Sequence, residues 1–148
     1  MLTTDQKGAI AETAIVHAAV KRGIGVSRPC SAPERYDLIF DLHPGLLRVQ
    51  CKWAILRGSV VYIGCYSSRR SAAGHLRRRY DADEIDVIAA YCAELDRCYV
   101  VPIAGLSGQG HVQLRLAPAL NNQRARVRWE DDFTFESLEW EQFKCLGP

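Results

Sequence analysis

The chain has 148 residues, of which 48% are hydrophobic and 24% charged, a length and balance that build one core of ordinary size. A chain this long buries roughly 70% of its unfolded surface, so it needs neither metal nor disulfide to fold. No apolar run approaches the roughly 18 residues of a membrane span, and the net charge of +2 is too small to mark a polyelectrolyte tail.

The elements follow in chain order. Thr3-x-x-Gln6 is a capping-box pattern and opens a predicted helix over about residues 4–22. Its apolar stripe runs through Ile10, Ala14, Ala18 and Val20, and Gly23 is placed to end it. A short extended piece, IGVSRP, precedes the stops at Pro29 and Pro33. YDLIFDL (36–42), LLRVQCKWA (46–54) and SVVYIGCY (59–66) are rich in β-branched and aromatic residues and separated by His-Pro-Gly and Arg-Gly turns. They read as a β-meander. An arginine-rich stretch after them reads as a loop. Residues 86–92 are ambiguous by periodicity but lean to a strand, with Glu94, Leu95 and Asp96 as the turn into a strand at 97–102. HVQLRL (111–116) is the last strand. APALNNQRARVRW predicts a short helix or loop, and FESLEWEQFKCL a terminal amphipathic helix. The order predicts a single α/β (α+β) domain over residues 1–148.

Six cysteines sit inside apolar or strand-like runs without a CxxC pair, and the four histidines fall in no zinc spacing. Reduced, mostly buried thiols are expected. The N-terminal segment MLTTDQKGAIAE shows no basic region followed by an apolar stretch, so no signal peptide and a cytoplasmic location are expected.

Charge is lopsided along the chain. Residues 1–80 carry 13 Lys+Arg against 5 Asp+Glu, while residues 81–148 carry 6 against 12. Arginine supplies 15 of the 19 cations, and Arg57, Arg69, Arg70, Arg77, Arg78 and Arg79 fall within 23 residues. Arginine suits bidentate phosphate contact, so the cluster is a footprint of nucleic-acid binding. A solvated face pairing with the acidic half across a subunit interface accounts for the charge alone equally well. Asn122, Gln123 and Arg124 are further DNA-contact candidates, since Asn and Gln read adenine edges, though the string also fits a polar turn. The acidic group Asp83, Glu84 and Asp86 reads as an element start or as partners for the arginines.

The stretch from 37 to 52 carries the chemistry. Asp37 lies on one predicted strand, and Gln50, Cys51 and Lys52 on the next. Side chains alternate along a strand, so Gln50 and Lys52 share a face and Cys51 takes the other. Antiparallel pairing through the turn at 43–45 brings Asp37 near Gln50 and Lys52. An acid, an amide oxygen and a main-chain carbonyl are hard ligands for a divalent cation, and a lysine can offset charge developing on a phosphate. Taken locally, the same residues also fit a turn-closing Asp, a cross-strand Gln and a Lys reaching out from a sheet edge.

The wider order of motifs resembles the PD-(D/E)XK nuclease superfamily. KGAIAETAIVHAAVKRGIGVSRP carries the helical Gly-x3-Glu (Gly8 and Glu12), and ERYDLIFDLHPGLLRVQCKWA carries the strand Asp and the Q-x-K variant of (D/E)-x-K. The segments EIDVIAAYCAELDRCYVVP and LRLAPALNNQRARVRW look like the small endonucleases associated with group I introns. The resemblance covers about residues 7–132 and implies a central mixed β-sheet flanked by helices. It implies Glu12, Asp37, Gln50 and Lys52 as the catalytic set. Glu12, Asp37, Gln50 and the Cys51 main-chain carbonyl would hold Mg2+ or Mn2+. Gln50 departs from the usual acid and takes one negative charge from the site. Asp41 rivals Asp37 by parity, but Asp37 follows the Tyr-Asp pattern. The implied activity is metal-dependent, site-specific cleavage of double-stranded DNA by a homodimer or homotetramer. A junction-resolving or repair nuclease and an inactive DNA-binding module of the same fold are the alternatives.

Overall fold

The computed structural model describes residues 1–31, 34–72, 74–106, 109–118, 121 and 127–144. Helix α1 (Thr4–Lys21) starts at the expected capping box: Thr3 Oγ1 accepts from the Gln6 N–H at 3.2 Å, and Gln6 Oε1 accepts from the Thr3 N–H at 2.8 Å. It ends as Gly23 takes a positive φ of 76° and the Ile24 N–H turns back onto the Ala19 carbonyl at 3.1 Å. The buried stripe is Ala11, Ile15 and Ala19, whereas Ile10 is 37% and Val20 57% exposed. The predicted stripe was therefore rotated. Apolar residues fall on several faces of this helix, so its sequence leaves the inward face undetermined.

The strands are β1 (Gly25–Ser27), β2 (Leu38–Asp41), β3 (Leu46–Arg57), β4 (Val60–Gly64), β5 (Tyr66–Ser71), β6 (Gly74–Arg79), β7 (Val87–Cys92), β8 (Arg97–Pro102), β9 (His111–Arg115) and β10 (Arg128–Trp129). The long β3 organises them by changing partner along its length. It pairs antiparallel with β2 at Leu46–Val49, parallel with β7 at Val49–Ala54, and antiparallel with β4 at Ile55–Arg57. β1 and β8 extend the first part of the sheet, and β9 and β10 extend the second. β7 is central and buried on both faces, which is why VIAAYC reads as a continuous apolar run. The β2–β3 turn needs Gly45 twice over. Its φ is +95°, and an added Cβ would stand 2.9 Å from the Phe143 carbonyl oxygen.

Two cores lie on opposite faces of the sheet. Under α1, Ile15 and Ala19 pack on Leu38, Phe40, Val49, Ala89 and Val100, closed by Phe135 and Phe143. On the other face, Ala54, Ile88, Ala90 and Tyr99 pack with Val61, Ile63, Val112 and Leu114 from β4 and β9. The sheet is mixed, as expected, but α1 is its one flanking α-helix among the described residues. The predicted terminal helix is a 3-10 turn at Trp140–Phe143. There Trp140 donates to the Phe135 carbonyl at 2.9 Å and meets the rings of Phe40, Phe135 and Phe143, so aromatic packing overrides the helical period. The predicted arginine-rich loop is instead a hairpin, β5–β6, that forms its own two-stranded sheet. No described helix is long and apolar enough to cross a membrane.

Candidate active site

β2 begins at Leu38, which leaves Asp37 just before it and not on the strand. The Asp37 N–H still reaches the Val49 carbonyl at 2.8 Å, extending the ladder by one bond. Past Val49 the β2 ladder ends, and among the described residues β3 next takes an antiparallel partner at Ile55, with β4. The next donor on the edge, the Cys51 N–H, is taken by Asp37 Oδ2 at 3.0 Å. Main-chain groups alternate sides along a strand, so the Cys51 carbonyl leaves by the same edge. Gln50 Nε2 makes a long contact to it, at 3.5 Å. The carboxylate of Asp37 thus substitutes for a missing strand and fixes itself beside a free-edged carbonyl.

The other expected residues converge from two layers. Cys51 faces the α1 core and Gln50 and Lys52 the opposite face, as strand alternation requires. Glu12 comes from the α1 side, held by Arg28 Nε at 2.8 Å. Burial above all, then the charge of Glu12, pushes the Asp37 carboxyl above its usual range, outweighing the Cys51 N–H and Lys52. Burial also lowers the pKa of Lys52, against the attraction of Asp37. Lys52 Nζ donates to the Tyr66 carbonyl at 2.8 Å and lies 5.0 Å from the centre of the Tyr80 ring. Asp41 is excluded from the group: it lies at the far end of β2, 3.3 Å from His43 Nδ1.

The donor set fits a hard divalent cation. Among the described residues no three His, Cys, Asp or Glu side chains form a metal site by themselves. The oxygens available are those of Asp37, the Cys51 main chain, Gln50 and, from the helix, Glu12. Asp37 is desolvated and stands in the field of Glu12, and a divalent cation bound there would offset both.

A groove of about 710 Å3 opens from Lys52 along the second part of the sheet, lined by Arg57, Tyr62, Tyr66, Arg79 and His111. Arg57 lies 5.0 Å from the Tyr62 ring centre. Arg78 is exposed and pairs with Glu84, while the side chains of Arg69, Arg70 and Arg77 lie outside the described residues, although their backbone is on the hairpin. Asn122, Gln123 and Arg124 lie wholly outside them. The acidic group does pair with arginines: Asp86 takes Arg48 at 3.1 Å, and Glu84 takes Arg35 at 3.0 Å as well as Arg78. Sequence reasoning missed Arg35, Tyr66 and Tyr80 around Lys52. The available signal was adjacency, because Arg35 precedes the Tyr-Asp pair and Tyr80 closes the arginine run.

A sequence model of the PD-(D/E)XK endonuclease family matches residues 2–136. The chain belongs to this family. Members of the PD-(D/E)XK family generally use divalent metal ions, and the assignment makes this protein a DNA endonuclease. Among solved structures it is similar to the bacterial homing endonuclease I-Ssp6803I, with 26% identity and a TM-score of 0.72 over 95% of this chain and 93% of that one. No curated protein matches the chain.

Proposed function

We propose that this PD-(D/E)XK endonuclease is a metal-dependent, site-specific enzyme that hydrolyses phosphodiester bonds of double-stranded DNA at the Asp37–Lys52 site. The observation that carries the reading is the Asp37 carboxylate clasped on the Cys51 N–H, with a free-edged carbonyl beside it, Glu12 behind it and Lys52 within its field. A bound Mg2+ or Mn2+ would polarise the scissile phosphate and lower the pKa of an attacking water. Asp37, the Cys51 carbonyl, Gln50 and Glu12 would hold it. Gln50 supplies an oxygen without charge, and turning its amide over would exchange the Nε2 now on the Cys51 carbonyl for that oxygen.

Lys52 keeps two N–H donors beyond the one spent on Tyr66. It stands on the face of β3 that opens into the groove, where a phosphate would reach it. Its ammonium offsets the charge that grows on the phosphate oxygens in the transition state. The basic groove and hairpin supply the phosphate contacts that hold the duplex. A homing-type, long target is supported by the similarity to I-Ssp6803I. One site per chain and two strands to cut support a homodimer or homotetramer with two-fold symmetry.

The test is incubation of supercoiled plasmid and fragmented genomic DNA with the protein in Mg2+, Mn2+ or EDTA. Discrete fragments with either metal and none in EDTA are expected. Cleavage that survives EDTA, or a metal-dependent smear without discrete products, contradicts metal dependence or site specificity respectively.

A further inference from the structure

Arg35 stands two residues before Asp37, and three elements meet at its guanidinium. Nε donates to Glu84 Oε2 at 3.0 Å, Nη1 to Ser67 Oγ at 2.8 Å and Nη2 to the Arg79 carbonyl at 3.1 Å. Ser67 belongs to β5 and Arg79 to β6, and they are diagonal neighbours at the hairpin base, where Tyr66 pairs with Arg79. The guanidinium carbon lies 4.4 Å from the centre of the Tyr80 ring, the same ring that Lys52 Nζ approaches to 5.0 Å. Lys52 Nζ in turn donates to the Tyr66 carbonyl. Hairpin base, Tyr80 and Lys52 therefore form a closed set of contacts with Arg35 as its hub.

This arginine is badly placed to hold a phosphate itself. Its side chain is only 22% exposed, its charge is met by Glu84, and each of its three nitrogens already has an acceptor. Its planar fork spans acceptors on three separate segments, which a lysine's single ammonium cannot do.

We propose that Arg35, together with Tyr80, is a positioning residue that ties the base of the β5–β6 hairpin to Lys52. The arm carrying Arg78 and Arg79 and the lysine that acts on the phosphate then keep one fixed relation. This rests on the reading of the site as a nuclease centre and of the hairpin as its DNA-facing arm. Binding energy collected along the arm is converted into alignment at Lys52, and loosening the tie leaves DNA held but misaligned. A displacement of about 1 Å at a reacting centre can cost roughly 100-fold in rate.

The experiment compares wild type with Arg35→Gln, Arg35→Lys, Tyr80→Leu and Tyr80→Phe. Three quantities are read: single-turnover plasmid cleavage in Mg2+ at saturating protein, DNA affinity across a salt series, and amide hydrogen exchange at the two ends of the hairpin. Both Arg35 variants and Tyr80→Leu should cut roughly 10- to 100-fold more slowly, with DNA affinity and its salt slope unchanged and with faster exchange at the hairpin base. Tyr80→Phe keeps the ring face and loses only the hydroxyl that meets Ser67, so it should lose far less than Tyr80→Leu in both rate and protection. Wild-type cleavage by Arg35→Gln and Tyr80→Leu overturns the proposal. A loss lying wholly in affinity also overturns it and makes Arg35 an ordinary phosphate contact. Should thermal melts show the Arg35 variants unfolded, the Tyr80 pair decides. If wild-type protein cuts no DNA, the nuclease reading is what fails. Exchange then still decides the tie, because unchanged protection in Arg35→Gln and Tyr80→Leu refutes it.

Discussion

Two carboxylates in this protein, Glu130 buried and Asp37 half-buried, are treated in opposite ways. Glu130 is 5% exposed and is met on both oxygens, by the Tyr99 hydroxyl at 2.6 Å and by Arg97 at 2.6 Å. Burial alone would raise its pKa, but the hydrogen bonds it accepts, led by that from Tyr99, hold it below the usual value. Asp37 is met by one backbone N–H, faces a second carboxylate, and is left with its pKa raised. Glu130 is satisfied within the fold, whereas Asp37 is left short of partners, the state that the proposed cation site requires.

The sharpest way to break this contrast is to neutralise each acid in turn. Asp37→Asn retains an acceptor for the Cys51 N–H and removes the charge. Cleavage should fall by roughly 1,000-fold, the upper end for loss of one electrostatic group, with Tm unchanged or higher because an amide costs less to desolvate. A variant that unfolds or keeps cutting would place Asp37 on the structural side. Lys52→Ala should cost roughly 100-fold in rate with DNA binding retained, measured by single-turnover cleavage beside an affinity titration.

Glu130→Gln should do the reverse, losing about 1–3 kcal/mol in urea melts while the rate per folded molecule stays that of wild type. Because the folded-state pKa of Glu130 is lowered, its contribution to stability is present above the ordinary glutamate value of 4.5 and is lost as pH falls through the folded value. Acid melts should show this component in wild type and not in the Gln variant. The smallest effect sharpens the chemical side. Gln50→Glu adds one charge to the cation site and should lower the Mg2+ concentration for half-maximal cleavage severalfold, read from a metal titration. A rise in the metal requirement would remove Gln50 from the ligand set.

Much of the fold was legible because local rules and tertiary demands agree. Thr3 and Gln6 cap α1 by contacts three residues apart, and the β-branched runs of β2, β3 and β4 alternate as half-buried strands do. The approach of Asp37 to Cys51 and Lys52 was legible for the same reason, since a short turn sets the register between neighbouring strands. Three features were not. α1 offers apolar residues on several faces, so only the sheet selected Ala11, Ile15 and Ala19. The hairpin lacks alternating apolar residues, and it pairs through its backbone, with Arg35 pinning its base. The terminal segment has a helical period that the Trp140 ring cluster overrides.

The order Glu12, Asp37, Gln50, Lys52 and the excess of arginine before residue 80 belong to the sequence, which by itself determined the family, the sheet's first strands and the chemical types offered at the candidate site. Tertiary structure decided how those types are used. β2 begins one residue after Asp37, and because its ladder ends there the carboxylate takes the Cys51 N–H and a carbonyl is left at the edge. The partners of Lys52 come from Tyr66 and Tyr80, 14 and 28 positions along the chain, and its register with them depends on a hairpin whose base is held from Arg35. Local propensity acts over three or four residues, whereas strand termination and burial are set by segments that meet only after the chain has closed on itself.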